Sequence, residues 1–329
     1  MGEDLCLRLF SARFFSMIQE PFLHSLELLK SVQHANGGFP YHSGEEARPD
    51  STAWAIISMS AYEFGKESCA RGKEYLVSQQ GDDGRVSISP KHPDASWPTP
   101  LAILAWQGFS RYHQPQSLAI DYLLGFTGRH FPTPDHSIIG HDASILGWPW
   151  IANTHSWVVP TALALLAIQE VGLSRHPRAL TGQQMLINRQ LTNGGWNYGS
   201  TTVFNAELPP LPECTGIALQ ALAGHIPIRA IERSLDYVLH ELPHLRTPIS
   251  LGWAILGLEA WGLKPKNTEG LVRGCLQRQE RYGPYPLPSL ALLLCAVKAS
   301  HGLHSLFRSP PEETHALSAH NSVEESHFP

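Results

Sequence analysis

The sequence predicts an all-α protein built as an (α/α)6 toroid, a closed ring of six helical hairpins, and two periodic features carry that prediction. The first is a phrase of glutamine, three residues, glycine, one residue and a ring. It reads Gln33-x3-Gly37-Gly38-Phe39, Gln190-x3-Gly194-Gly195-Trp196 and Gln279-x3-Gly283-Pro284-Tyr285. A fourth copy, Gln80-x3-Gly84-Arg85-Val86, keeps the spacing and loses the ring. A phrase repeated in one local context marks a repeat architecture. The second feature is a series of six Ala/Leu-rich runs that open just after Pro49, Pro98, Pro160, Pro212, Pro248 and Pro288. Proline suits the first turn of a helix, where its missing N–H costs nothing.

Each apolar run is paired with a more polar helix before it. Leu23–Gln33 precedes the run from Asp50, Ser68–Gln80 the run from Pro100, and Ser117–Phe126 the run from Thr161. Thr181–Gln190 precedes the run from Glu213, Ile231–Leu239 the run from Ile249, and Glu269–Gln279 the run from Ser289. The apolar runs carry almost no charge, and helices apolar all round are buried helices. Lys30, Lys73, Glu74, Asp121, Arg189, Glu232 and Asp236 mark the solvent side of the others. Glycine just past a helix end takes the left-handed conformation cheaply, and the glutamine can satisfy loose helix-end backbone groups. One buried set and one exposed set describe a ring, and a closed ring needs no capping repeats.

Residues 1–21 read as an N-terminal extension, 22–303 as the toroid and 304–329 as a disordered polar tail. Residues 127–156 read as a long histidine-rich loop, a length that goes with function or disorder. The chain has 329 residues, 43% of them hydrophobic, with a formal charge of −5 and no long basic run. That balance argues against a nucleic-acid partner. Five scattered cysteines without a C-x-x-C pair point to reduced thiols and a cytoplasmic location. Asp4, Arg8 and Arg13 break any signal-peptide core, and the longest clean apolar run, Leu290 to Val297, is too short to cross a bilayer. At most a peripheral membrane contact is expected.

The glutamine–glycine–aromatic phrase resembles the QW repeat of squalene–hopene and oxidosqualene cyclases, whose toroid also houses the β subunits of protein prenyltransferases. The resemblance covers roughly residues 22–300 and implies a terpene-cyclase-like enzyme. Such an enzyme folds a hydrophobic isoprenoid in a central aromatic cavity and uses no cofactor. Triterpene cyclases have two toroids; this chain reads as one. Protonating cyclases carry Asp-x-Asp-Asp-Thr-Ala at the mouth of an inner helix, the middle aspartate being the acid. The matching stretch is Arg48-Pro49-Asp50-Ser51-Thr52-Ala53, which makes Asp50 the candidate acid. Arg48 and Ser51 replace the flanking carboxyls, and a nearby arginine favours ionised Asp50. Asp50 also fits a simple helix-capping role.

Glu213, at an analogous helix mouth, is the second candidate catalytic carboxylate. Trp54, Trp97, Trp157 and Trp253 lie at or near the mouths, with Trp148, Trp150 and His155 in or beside the long loop. Together with Cys214 they form the expected substrate-binding set, since ring faces stabilise carbocations. The same rings would also simply fill a toroid. No metal is expected. Asp82-Asp83 leads into Gly84-Arg85 rather than a diphosphate-binding Asp-Asp-x-x-Asp box, and Cys214 lacks the Asp and His of a prenyltransferase zinc site. His130, Asp135, His136, His141 and Asp142 in the loop match no metal-ligand spacing. Two readings stay open beside the enzyme: a catalytically empty isoprenoid-binding or accessory module, and a carbohydrate-active toroid with Asp50 facing Glu213.

Overall fold

A computed structural model of the chain describes residues 20–131, 140–204 and 206–307. Among them twelve helices of eight residues or more alternate between an outer and an inner position, with one further single-turn helix at Gln279–Tyr282. The first outer helix, α1, covers residues 20–31. It is followed by α2 (Pro49–Ala61), α3 (Lys66–Ser78), α4 (Thr99–Trp106), α5 (His113–Gly125), α6 (Val158–Glu170) and α7 (Pro177–Asn188). Next come α8 (Pro212–Leu222), α9 (Glu232–Glu241), α10 (Pro248–Ala260), α11 (Thr268–Gln277) and α12 (Leu287–Lys298). Inner helix packs on inner helix in the order α2, α4, α6, α8, α10, α12, and α12 returns to α2. The ring is closed, as the repeat predicts. At the seam the Leu287 N–H donates to the Tyr41 carbonyl at 2.9 Å, tying the last repeat to the first.

The burial pattern follows the composition. Every residue of α4 is buried, as is α2 from Pro49 to Met59. The outer helices bury one stripe, as in Thr268, Val272, Cys275 and Leu276 of α11, the spacing of a single helix face. Among the described residues strand is confined to two short antiparallel pairs, Phe39–Pro40 (β1) with Ala47–Arg48 (β2) and Thr202–Val203 (β3) with Ala206–Glu207 (β4). No helix among the described residues is long and apolar enough to cross a membrane.

The repeated phrase is a clamp between successive hairpins. The Gln33 side-chain amide donates to Gly37 O and to Ser68 O of α3, both at 2.8 Å. Gln80 repeats this on Gly84 O at 3.0 Å and Pro115 O of α5 at 2.8 Å, and Gln190 reaches Ser234 Oγ of α9 at 2.8 Å. In these three copies the glutamine joins its repeat to the next outer helix, whereas Gln279 donates to Leu276 O and accepts from the Tyr285 N–H, within its own repeat. The glycine is obligatory on two counts. Gly37 and Gly84 have φ of 90° and 87°. A Cβ there would also fall 2.4 Å from Arg71 O and 2.0 Å from Leu118 O, on the backbone of the next outer helix.

The ring position is held by a threonine in the first turn of the inner helix. Thr52 Oγ1 accepts from the Phe39 N–H at 2.8 Å, Thr99 from Val86 at 3.0 Å, Thr161 from Trp148 at 2.9 Å and Thr215 from Trp196 at 2.9 Å. Trp148 thus sits in the slot of a fifth phrase whose glutamine is lost. Val86 fills the same slot in the copy without a ring and is fully buried.

Two sequence expectations change. Lys73 and Arg189 are buried rather than solvent-facing, at 3% and 6% exposure. Arg189 turns inward to donate to Gly199 O, and Lys73 points at a cavity described below. Residues Leu303–Leu306 form a short 3-10 turn whose Leu303 is buried, so the fold runs past the expected start of the tail. The rest of the tail, and residues 1–19 of the N-terminal extension, lie outside the described residues.

Candidate functional site

All six inner helices start at one rim of the ring, so their first turns form its mouth. Asp50 is in the first turn of α2 and only 2% exposed. It does not cap the helix: the N-cap position belongs to Arg48. Arg48 instead grips the carboxylate with both arms of its guanidinium, Nε to Oδ1 at 3.0 Å and Nη2 to Oδ2 at 2.8 Å. The guanidinium in turn lies 4.5 Å over the Tyr41 ring. Burial pushes the Asp50 carboxyl above its usual range, while the charge and hydrogen bonds of Arg48 pull it back. The result is a raised, buried carboxyl whose counter-ion is itself one-third exposed.

Glu213 begins α8, three steps around the ring from α2 and so on the opposite wall. It accepts from Ser250 Oγ of α10 at 2.7 Å. Cys214 beside it is fully buried, and that burial, with the Glu213 charge adding to it, pushes its thiol up. No cluster of three metal-ligating side chains occurs among the described residues.

Trp54 and Trp253 occupy equivalent places, five residues past the prolines that start α2 and α10. They reach past α12 and meet edge to face, centroids 5.7 Å apart and planes at 75°. A second edge-to-face pair, Trp97 and Trp150 at 5.4 Å, brings the long loop to the entrance of α4. Trp157 is the N-cap residue of α6 and half-buried. His155 is exposed against Phe131 at 5.6 Å.

Trp148 is corrected. Its indole N–H donates to Leu123 O of α5 at 2.9 Å, and Arg178 of α7 stacks on it at 3.5 Å. It belongs to the wall between two outer helices and not to the mouth. Arg178 also donates to Phe126 O, Leu146 O and Gly147 O, pinning the start of the long loop to its second half. Within that loop His141 is buried beside Thr201, and Asp142 accepts from the Ser144 N–H at 2.8 Å. Asp135 and His136 lie outside the described residues.

One buried acid has no signal in the sequence. Glu259, in the last turn of α10 at the rim opposite the mouth, is 1% exposed. Neither carboxylate oxygen has a hydrogen-bond partner among the described residues, and Lys264 Nζ stands 4.0 Å away. Burial raises it from 4.5 to about 7. A carboxyl raised in the folded state carries no penalty below pH 4.5. The penalty grows as pH rises from 4.5 to 7 and is complete, at about 3 kcal/mol, above it. Glu259→Gln is therefore expected to match the parent at pH 4.5 and to exceed its stability by about 2–3 kcal/mol at pH 8, read by denaturant melts at both pH values. Equal stabilities at pH 8 would contradict the assignment.

No protein-family model matches the sequence. The chain is 37% identical over 73 residues to a drimenyl diphosphate synthase from Streptantibioticus cattleyicolor, a match that spans 22% of this chain and 13% of that protein. Among solved structures it is similar to the type II terpene cyclase MstE from Scytonema, in complex with geranylgeranyl dihydroxybenzoate. The TM-score is 0.57 at 12% identity, over 89% of this chain and 97% of that one. It is equally similar to a protein from Actinoplanes, with a TM-score of 0.57 at 13% identity over 85% of this chain and 98% of that one. The chain has the toroid fold of the terpenoid cyclases.

Proposed function

We propose that the chain is a terpene-cyclase-like enzyme that folds a polyprenyl substrate in the mouth of the ring and starts its cyclisation by protonation. Asp50 is the proton donor of this reading. The observation that carries it is a buried, upward-shifted carboxyl in the first turn of the first inner helix. The sequence match to a drimenyl diphosphate synthase supports the substrate class. The likeness to MstE over nearly all of that chain supports cyclisation by a toroid of this size, without a second one.

The chemistry balances as an isomerisation. The Asp50 carboxylic acid gives its proton to a terminal alkene carbon, the resulting cation is attacked by internal double bonds, and a base removes one proton from the last cation. Indole faces at the mouth stabilise the positive charge in transit. The bidentate pair with Arg48 favours the ionised form of Asp50 while burial opposes it, so delivery of the proton requires the guanidinium to withdraw. Trp54 and Trp253 must also part to admit a chain.

The Arg48–Asp50 pair is the observation that favours the second reading, an isoprenoid-binding module without turnover. Pure protein incubated with squalene and with C15–C20 prenyl diphosphates separates the two: cyclised product supports the enzyme. Tight binding with no substrate consumed leaves only the carrier. A cytoplasmic location belongs to the proposal, supported by the four described cysteines, which are all free and buried. Peripheral membrane contact does too, supported by Phe204, 96% exposed beside the tip of the β3–β4 pair.

A further inference from the structure

A cavity of about 490 Å³ opens on the rim opposite the mouth. It lies between the end of α2, the first two turns of α3 and the connection from α4 to α5. Its walls are largely apolar, with Phe64, Phe109 and Tyr112, and its charged members include Lys66, Lys73 and Arg111. Lys66, Cys69, Ala70 and Lys73 all line it, the i, i+3, i+4, i+7 spacing of one helix face.

Lys73 is the unusual member. It is 97% buried, yet no carboxylate lies within ion-pair distance of its ammonium among the described residues. Its Nζ stands 3.3 Å from the centre of the Phe109 ring, a cation–π contact. Burial pulls the amine down to about 8, so at neutral pH it is still mostly charged. Arg111 is already paired with Glu74 at 2.9 Å, and the lining acid Glu63 is exposed. An unpaired ammonium inside an apolar cavity is costly until an anion reaches it. Phe109 is itself half exposed, so the ring covering the amine is not locked by packing on its outer side.

We propose that this cavity is a binding site for a small amphiphilic anion, its carboxylate or phosphate head on Lys73 and its apolar body against Phe64, Phe109 and Tyr112. The site is independent of Asp50 and does not rest on the cyclase reading. Volume and lining fit a ligand of this class, since pockets for small molecules are mostly apolar with a few placed polar groups.

Titration with decanoate, decyl phosphate and decanol tests it on the parent and on Lys73→Met, whose side chain keeps the length of the stem without the charge. Decanoate and decyl phosphate are expected to bind the parent, and whichever binds tighter names the head group. Lys73→Met should lose about 10- to 100-fold of that affinity and leave decanol within about twofold. The variant removes an unpaired buried charge and should melt no lower than the parent, so a loss of binding is not a loss of fold. On reductively methylated protein, the Lys73 NMR signal should titrate near pH 8 and move upward when decanoate is added. Equal anion affinity in parent and variant, or a Lys73 signal unmoved by saturating decanoate, would overturn the site.

Discussion

Asp50→Asn should lower cyclisation by about 10³-fold or more while the ring stays folded. The substitution removes the one transferable proton that the chemistry needs, and general acids contribute about 10²–10⁴-fold even where the reaction can proceed without them. Its structural cost is small for reasons visible in the site. Asparagine has nearly the volume of aspartate, and its oxygen still accepts one arm of Arg48. Arg48 is one-third exposed and stacked on Tyr41, so losing its counter-ion does not strand a charge in the core. Burying a carboxylate is itself unfavourable, and the amide escapes that penalty. The expected loss of stability is about 1–2 kcal/mol, against 3–5 kcal/mol for breaking a fully buried pair. Product analysis and thermal melts on one preparation check both halves. A variant with full turnover removes Asp50 from the mechanism. Glu213→Gln is the matching control, and under this account it retains most activity.

Gly216→Ala should cost at least about 4 kcal/mol, near the top of what one methyl group can do. Gly216 lies inside α8 where that helix crosses α10. A Cβ there would stand 2.2 Å from Trp253 O and 2.8 Å from the Ala254 nitrogen. Both are backbone atoms of a helix held on its other side by α12, so nothing flexible can yield. Gly257 repeats the contact from the opposite helix, with a Cβ 2.6 Å from Gly216 O. The control is Gly274→Ala in α11, also inside a helix, where a Cβ meets nothing within 4 Å. Helix propensity alone favours alanine over glycine by about 1 kcal/mol at both sites. Opposite signs in the two melts would therefore isolate the packing term. If Gly216→Ala were as benign as Gly274→Ala, the backbone contact between α8 and α10 would be wrong.

The ring was readable because two independent signals agree: the proline-started apolar run recurs in all six repeats, and the glutamine–glycine phrase accompanies it in four. Proline followed by an uncharged Ala/Leu run can only be the start of a buried helix, and all six inner helices begin within a few residues of those prolines. The outer helices were readable from the polar stripe, with ends shifted by one to four residues. What the sequence hid depends on contacts distant along the chain. Trp148 occupies the ring slot of a degenerate phrase, but Asp142 and Leu146 stand where glutamine and glycine would be. Only its distance of thirteen residues to Thr161, matching Phe39 to Thr52 and Val86 to Thr99, betrays the slot. Lys73 looks like any lysine on a polar helix, and its burial follows from the α4–α5 connection folding over it. Glu259 sits at the end of an apolar run, where a charge is expected to reach solvent. Asp50 was legible as a position, through the stretch around it, whereas its grip by Arg48 emerges only from the geometry.

The most direct measurement of the central claim is deuterium incorporation. The protein is equilibrated in D2O, where the Asp50 carboxyl exchanges, and then given a C15 or C20 prenyl diphosphate. An acid-initiated cyclase yields a cyclic product that keeps its diphosphate and carries one deuterium at the carbon protonated first. A product that has lost diphosphate and carries no deuterium would contradict the account, as would complete recovery of the substrate unlabelled.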